Sequence, residues 1–180
     1  MPYWGSRGLR GSALEEMVNM TNDLYLRREL AVVQKIPTPI TPIEVSQNPR
    51  TISKAYFEKR STVDYIGVAQ GLPICFDAKE TNEKRFPLGN IHEHQAAFMK
   101  SFEKQGGIAF LLVHFKLFGE IYYLPFTDME KHLDIANSGG RKSIAYESFE
   151  KAYLVSNKQG FMVHYLEPIN VYLERLNAKA

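Results

Sequence analysis

Leu14, Met17, Val18 and Tyr25 recur at helical spacing and predict a helix that starts at Ser12 and runs to about Arg28. Ser12 and Glu15 stand three apart, the spacing of a capping box in which hydroxyl and carboxylate each satisfy an orphan amide. Ala31 to Ile36 is short and β-branched and reads as a strand. Pro37, Pro39 and Pro42 follow; each removes an amide donor and fixes φ, which excludes a helix and a central strand alike. The stretch from Pro37 to about Arg60 therefore reads as an extended projection, long for a connection in a compact domain. From Val63 to Lys79 two strand-like runs, VDYIGVA and PICFDAK, flank Gln70-Gly71-Leu72 and predict a hairpin. Asn90 with Glu93 predicts the start of a second helix, ending at Gly106-Gly107. The run IAFLLVH from Ile108 to His114 is the most apolar in the chain and reads as a buried central strand, with EIYYLPF beside it. Thr127 and Glu130 repeat the capping pattern before a third helix. After the loop NSGGRKS come a short helix, a strand-like VSN region and a last helix near Pro168, striped by Ile169, Tyr172, Leu173 and Leu176. This order predicts a single mixed α/β domain, a central sheet flanked by helices with a protruding arm at 37–60.

Composition narrows the class. A chain of 180 residues with 44% hydrophobic and 23% charged side chains can bury a core unaided, and its single Cys excludes a disulfide framework or a Cys-cluster zinc site. No window approaches the roughly 18 consecutive apolar residues of a membrane span, and MPYWGSRGLRGS lacks the apolar run of a signal peptide, so a cytoplasmic protein is expected. The net charge of +2 is a weak argument for a nucleic-acid partner, although the arm carries Arg50, Lys54, Lys59 and Arg60 against Glu44 and Glu58.

The sharpest chemistry lies at Asp64 and, thirteen residues on, Asp77-Ala78-Lys79. Side chains alternate along a strand, so Asp77 and Lys79 point the same way and a hairpin partner brings Asp64 alongside. Two close carboxylates repel unless a divalent cation lies between them, and hard oxygen ligands suit Mg²⁺ or Mn²⁺. Such an ion would stabilise charge on a phosphate, with Lys79 orienting water or neutralising the phosphorus centre. The competing reading is a pair of solvated strand ends or a surface ion pair. Thr62 shares the face of Asp64. Gln95 sits in register with Phe98, Met99 and Phe102, so this polar residue faces the sheet, either towards a metal-bound water or as a cap on a strand carbonyl. Glu15 could approach the same cluster, although completing its capping box is the simpler role. Position 96 is Ala, so His92-Glu93-His94 is not HExxH; these histidines suit phosphate or solvent better than zinc. Cys75, in an apolar strand, reads as a small core residue. Gly139-Gly140-Arg141-Lys142-Ser143 offers free amides and two cations, as a phosphate contact would.

Taken together and in order, several of these segments identify a family. Arg10, Gly11, Leu14 and Glu15, KAYF at 54–57, STVDYIG at 61–67, DAKET at 77–81, FPL at 86–88, HEHQ at 92–95 and GRKSI at 140–144 resemble the RecU family of Holliday junction resolvases, over nearly the whole chain. The resemblance implies a restriction-endonuclease-like PD-(D/E)xK core and a Mg²⁺-dependent homodimer that cuts opposed strands of a four-way DNA junction. It implies Asp64 and Asp77 as metal carboxylates, Lys79 as the motif lysine, Thr62 and Gln95 completing the metal and water shell, and Glu15 as an accessory acid. It makes the arm a stalk that enters the junction, with Arg50, Lys54, Lys59 and Arg60 on phosphates, and adds Arg10, Arg141 and Lys142 to the DNA-binding set. Candidate protein partners are a recombinase or branch-migration protein. The chain departs from the family pattern in carrying Asp77 where the pattern has Glu, in a loop between Asp77 and Gln95 about one residue shorter, and in a shorter basic N-terminal segment. Two other functions are carried alongside: a nuclease for another DNA structure, and a module that binds branched DNA or regulates a recombinase without cutting.

Overall fold

The computed structural model describes residues 12–37, 40–45, 52–57 and 62–178. Helix α1 (Ala13–Arg27) leads into strand β1 (Ala31–Lys35), and β2 (Ile40–Val45) and β3 (Ile52–Phe57) pair antiparallel as a separate two-stranded ribbon. The hairpin β4 (Tyr65–Ala69) and β5 (Leu72–Thr81) follows, then short β6 (Arg85–Pro87), α2 (Glu93–Lys104), β7 (Ile108–Phe115) and β8 (Glu120–Pro125). Helix α3 (Phe126–Asn137), short β9 (Ser143–Ala145), which pairs with β6, and α4 (Leu166–Asn177) complete the chain.

The main sheet runs in the order β1-β4-β5-β7-β8. Only β5 and β7 are parallel, because α2 carries the chain back across the sheet between them. Gln70 and Gly71 both adopt positive φ (49° and 86°), as a two-residue turn matched to strand twist requires, so the connection is one residue tighter than the sequence reading. Gly67 on β4 admits no side chain: a Cβ would stand 2.3 Å from the carbonyl oxygen of Val32 on β1.

Strand alternation divides the core. Ile74, Phe76 and Ala78 of β5 pack with Leu14, Val18 and Tyr25 of α1 and Ile169 and Tyr172 of α4. Cys75 packs on the opposite face with Met99 of α2 and Phe126 and Met129 of α3, and Asp77 and Lys79 share that face. Cys75 is thus a buried core residue, as expected. Among the described residues no helix is long and apolar enough to cross a membrane.

Three helix starts differ from the expectation. Ser12 caps α1 by accepting the Glu15 amide (3.2 Å), but the Glu15 carboxylate does not return the bond and pairs with Lys35 instead. The second helix begins at Glu93 with His92 as its cap, because 88–90 form a tight turn of their own; Asn90 lies in that turn. In the third, Thr127 is already helical and its hydroxyl meets that of Tyr172 (3.3 Å) rather than capping. On α1 the buried face also includes Thr21 and Asn22, polar residues paired to the Val163 amide (3.1 Å) and the Tyr165 hydroxyl (2.6 Å). The ribbon places Pro42 in a strand with no interior position, and the register shifts beside it.

Candidate active site

Asp77 lies in the middle of the sheet with none of its side chain exposed, and its Oδ1 accepts the amide of Asp64 (2.7 Å). Asp64, just before β4, returns the arrangement: its Oδ2 accepts the amide of Ala78 (3.1 Å). The β4–β5 register, Tyr65 opposite Phe76, sets this pairing, so the hairpin predicted from sequence brings the two carboxylates together. Lys79 Nζ stands 3.0 Å from Asp77 Oδ2 as a charge partner, yet that oxygen has no hydrogen bond of good geometry among the described residues. Lys79 Nζ donates instead to Gln95 Oε1 (3.3 Å), which also accepts the His92 amide (3.3 Å). Gln95 therefore caps its own helix and holds the lysine with one oxygen, rather than capping a strand carbonyl. Burial, and then the negative charge of Asp77, push the Asp64 carboxyl up to about 6.

Glu15 lines an open cleft of ≈360 Å³ with Ser12, Lys79, Gly89, Asn90 and His92. Thr62 is exposed and makes no hydrogen bond with Asp64, Asp77 or Gln95 among the described residues. It lines the neighbouring cleft of ≈640 Å³ with Ile91, His92, Glu93 and His94. The two histidine rings stack there, 5.4 Å apart and 11° from parallel. Arg141 and Lys142 are exposed, and the Lys142 carbonyl accepts the Leu88 amide (3.0 Å), which docks their loop against the turn lining the first cleft. Lys54 is exposed on β3 opposite Glu44. Arg10, Arg50, Lys59 and Arg60 lie outside the described residues.

Sequence reasoning missed Glu80 and Lys35. Glu80 points to the α1 side of the sheet, accepts the Leu14 amide (3.1 Å) at the helix start and pairs with Lys116 (2.6 Å). Burial acts to raise its carboxyl, but Lys116 and that amide prevail and hold it below the usual range. The alternation that put Asp77 and Lys79 on one face already put Glu80 on the other; its partner on α1, 66 residues earlier in the chain, has no local signal.

Among the described residues no three His, Cys, Asp or Glu side chains form a metal cluster. The donors that converge are two carboxylates, an amide oxygen and backbone, all hard oxygen ligands. The fold and site define a class: single-domain α/β proteins whose mixed sheet presents an acidic pair, Asp77 buried and Asp64 partly so, and a lysine at neighbouring strand positions, with a separate two-stranded ribbon. Within that class the chain belongs to the RecU family, Recombination protein U, whose model matches residues 9–171. It is 42% identical over 180 residues to the Holliday junction resolvase RecU of Pediococcus pentosaceus, covering 97% of this chain and 88% of that protein. The protein of the same name from Leuconostoc mesenteroides is 41% identical over 175 residues, covering 94% of this chain and 85% of its own. That of Lactococcus lactis is 42% identical over 172 residues, covering 93% and 80%.

Proposed function

We propose that this protein is a metal-assisted endonuclease that resolves four-way DNA junctions by cutting opposed strands, as a homodimer whose two-fold axis matches that of the junction. The observation that carries this reading is the match at 42% identity, over 97% of the chain, to a protein named Holliday junction resolvase RecU. The site is chemically suited to it. Among the described residues Asp77 Oδ2 is buried without a hydrogen bond, and a hard divalent cation, Mg²⁺ or in its place Mn²⁺, fits that oxygen and the carboxylate and amide oxygens near it, beside the charge of Lys79. Asp64 and Asp77 would hold the ion, with Gln95 and Thr62 contributing side-chain oxygens or ordering its water. A bound divalent ion stabilises charge on a phosphoryl oxygen and lowers the pKa of water.

The remaining work falls to the chain's own groups. Lys79, held by Gln95, places a positive charge where negative charge develops on the phosphate. Glu15 acts as an accessory acid at the cleft edge. Lys54, Arg141 and Lys142, with Arg10, Arg50, Lys59 and Arg60, contact backbone phosphates, so that junction shape rather than base edges selects the substrate. The stalk at 37–60 enters the junction centre. A cytoplasmic location and a recombinase or branch-migration partner accompany this role.

Cleavage of a synthetic mobile junction, with each strand labelled in turn, tests the reading. Paired nicks in opposite strands that require Mg²⁺ are expected. Faster cutting of linear duplex would assign another nuclease substrate, and saturable junction binding without nicks in Mg²⁺ or Mn²⁺ would assign a binding module.

A further inference from the structure

Glu15 is held from two directions by the strand pair from which the arm departs. Its carboxylate Oε2 is ion-paired with Lys35 Nζ, and its backbone carbonyl accepts the Tyr65 hydroxyl (3.3 Å). Tyr65 stands opposite Lys35 in the β1–β4 register. One residue on, the Ile36 amide donates to the carbonyl of Asp64 (2.8 Å). Lys35 and Ile36 thus anchor both Glu15 and Asp64, and the ribbon strand β2 begins only four residues later, at Ile40.

Two observations separate a role at the site from a role in the fold. Glu15 shares its cleft with Lys79, and its charge reaches the Asp64 carboxyl. The pair is also half-exposed, with 42% of the Lys35 and 24% of the Glu15 side chain accessible, so it adds little to the stability of the fold. Among the described residues Glu15 forms no metal cluster with Asp64 and Asp77, and a carboxylate beside an ion's own ligands acts on it through charge and through the water it orders.

We infer that Lys35 is a positioning residue for the proposed metal centre: its ammonium holds the Glu15 carboxylate at the edge of the Asp64–Asp77 pair, and so ties the root of the arm to the site. The inference rests on the metal-assisted reading above. Without Lys35 the Glu15 side chain is released to other rotamers, and the cation loses a fixed second layer of charge.

Mn²⁺ binding to the DNA-free protein, followed by the electron paramagnetic resonance of free Mn²⁺, tests it. Lys35→Ala weakens binding roughly three- to tenfold, as does Glu15→Gln, and the double variant is no weaker than Glu15→Gln, because partners in one contact do not add. Lys35→Arg restores binding to within about twofold, since a guanidinium can still pair with one carboxylate oxygen. Lys100→Ala, which removes a comparable exposed ion pair with Glu130 (2.6 Å) on other helices, leaves binding unchanged. Melting temperatures stay level across the set. Unchanged Mn²⁺ binding in Lys35→Ala, or losses that add in the double variant, overturns the inference. So does a loss of junction affinity by Lys35→Ala in EDTA, which would make Lys35 a DNA contact. A wild-type protein that binds no Mn²⁺ refutes the metal-centre reading itself, and that result appears before any substitution is made.

Discussion

Asp64 and Asp77 are bonded crosswise: the Asp77 carboxylate takes the amide of Asp64, and the Asp64 carboxylate takes the amide that follows Asp77. Each acid is thereby oriented by the other's strand, which leaves Asp77 Oδ2 buried beside Lys79. Asp77→Asn is expected to reduce Mg²⁺-dependent junction cleavage at least about a hundredfold, the scale on which loss of one electrostatic group acts. Junction binding in EDTA should stay within about threefold of wild type, since phosphate contacts carry affinity. Strand-resolved cleavage and gel-shift assays measure the two separately, and persistent cleavage would displace the site from Asp77.

The raised Asp64 carboxyl sets a pH dependence. Its ordinary value is 3.8 and burial beside Asp77 lifts it to about 6 in the folded state. The unfolded chain therefore ionises first as pH rises, so stability from this group is complete below about 4 and is lost through 6. Melting of the metal-free protein should show this decline, and Asp64→Asn should flatten it. Divalent ions should stabilise the protein more at pH 7 than at pH 5, because only the ionised carboxylate competes for them.

Glu103 offers an independent check far from the proposed chemistry. Burial lifts its carboxyl from 4.5 to about 7, although it accepts the Ala109 amide. The same sign applies, with stability falling as pH climbs from 4.5 through 7. Glu103→Gln should raise the melting temperature at pH 8 and leave it unchanged at pH 4. Equal shifts at both pH values would remove ionisation as the cause.

Gln95 joins the start of α2 to the lysine. Gln95→Ala exposes the His92 amide and frees Lys79, and should cost about 1 kcal/mol of stability, the usual loss of a helix-start acceptor. Gln95→Glu keeps an acceptor and should preserve the melting temperature. Chemical denaturation separates the two variants; equal losses would mean the amide bond to Gln95 contributes nothing.

The acid pair was legible in the sequence because a hairpin is a local object. Gly71 at the turn and the alternation of VDYIGVA and PICFDAK set which residues face one another, and Asp64 falls opposite Asp77 as a result. The prolines at 37, 39 and 42 excluded a helix and a central strand, and the described residues of that stretch form a separate two-stranded ribbon. What escaped was non-local or was decided between competing hydrogen bonds. Ser12 and Glu15 fit a capping box, but Lys35 outcompetes the helix amide for the carboxylate. Asn90 and His92 are both near suitable acceptor spacings, and the tight turn at 88–90 decides for His92. Thr21 and Asn22 were not singled out in the sequence, and they are buried because 163–165 supply their partners from the far end of the chain.

The ribbon of β2 and β3 has a consequence for how the protein behaves in concentrated solution. Among the described residues its two strands pair only with each other, so each also presents an open edge, and Ile40, Ile43, Ile52 and Tyr56 are all exposed along it. Open apolar edges invite strand-to-strand stacking between molecules. Pro42 supplies no donor at its position, the register breaks beside it, and Glu44 faces Lys54 across the pair. A proline, a broken register and paired charges all oppose such stacking, so substituting Pro42 by a β-branched residue should first be felt as turbidity rather than as lost enzyme.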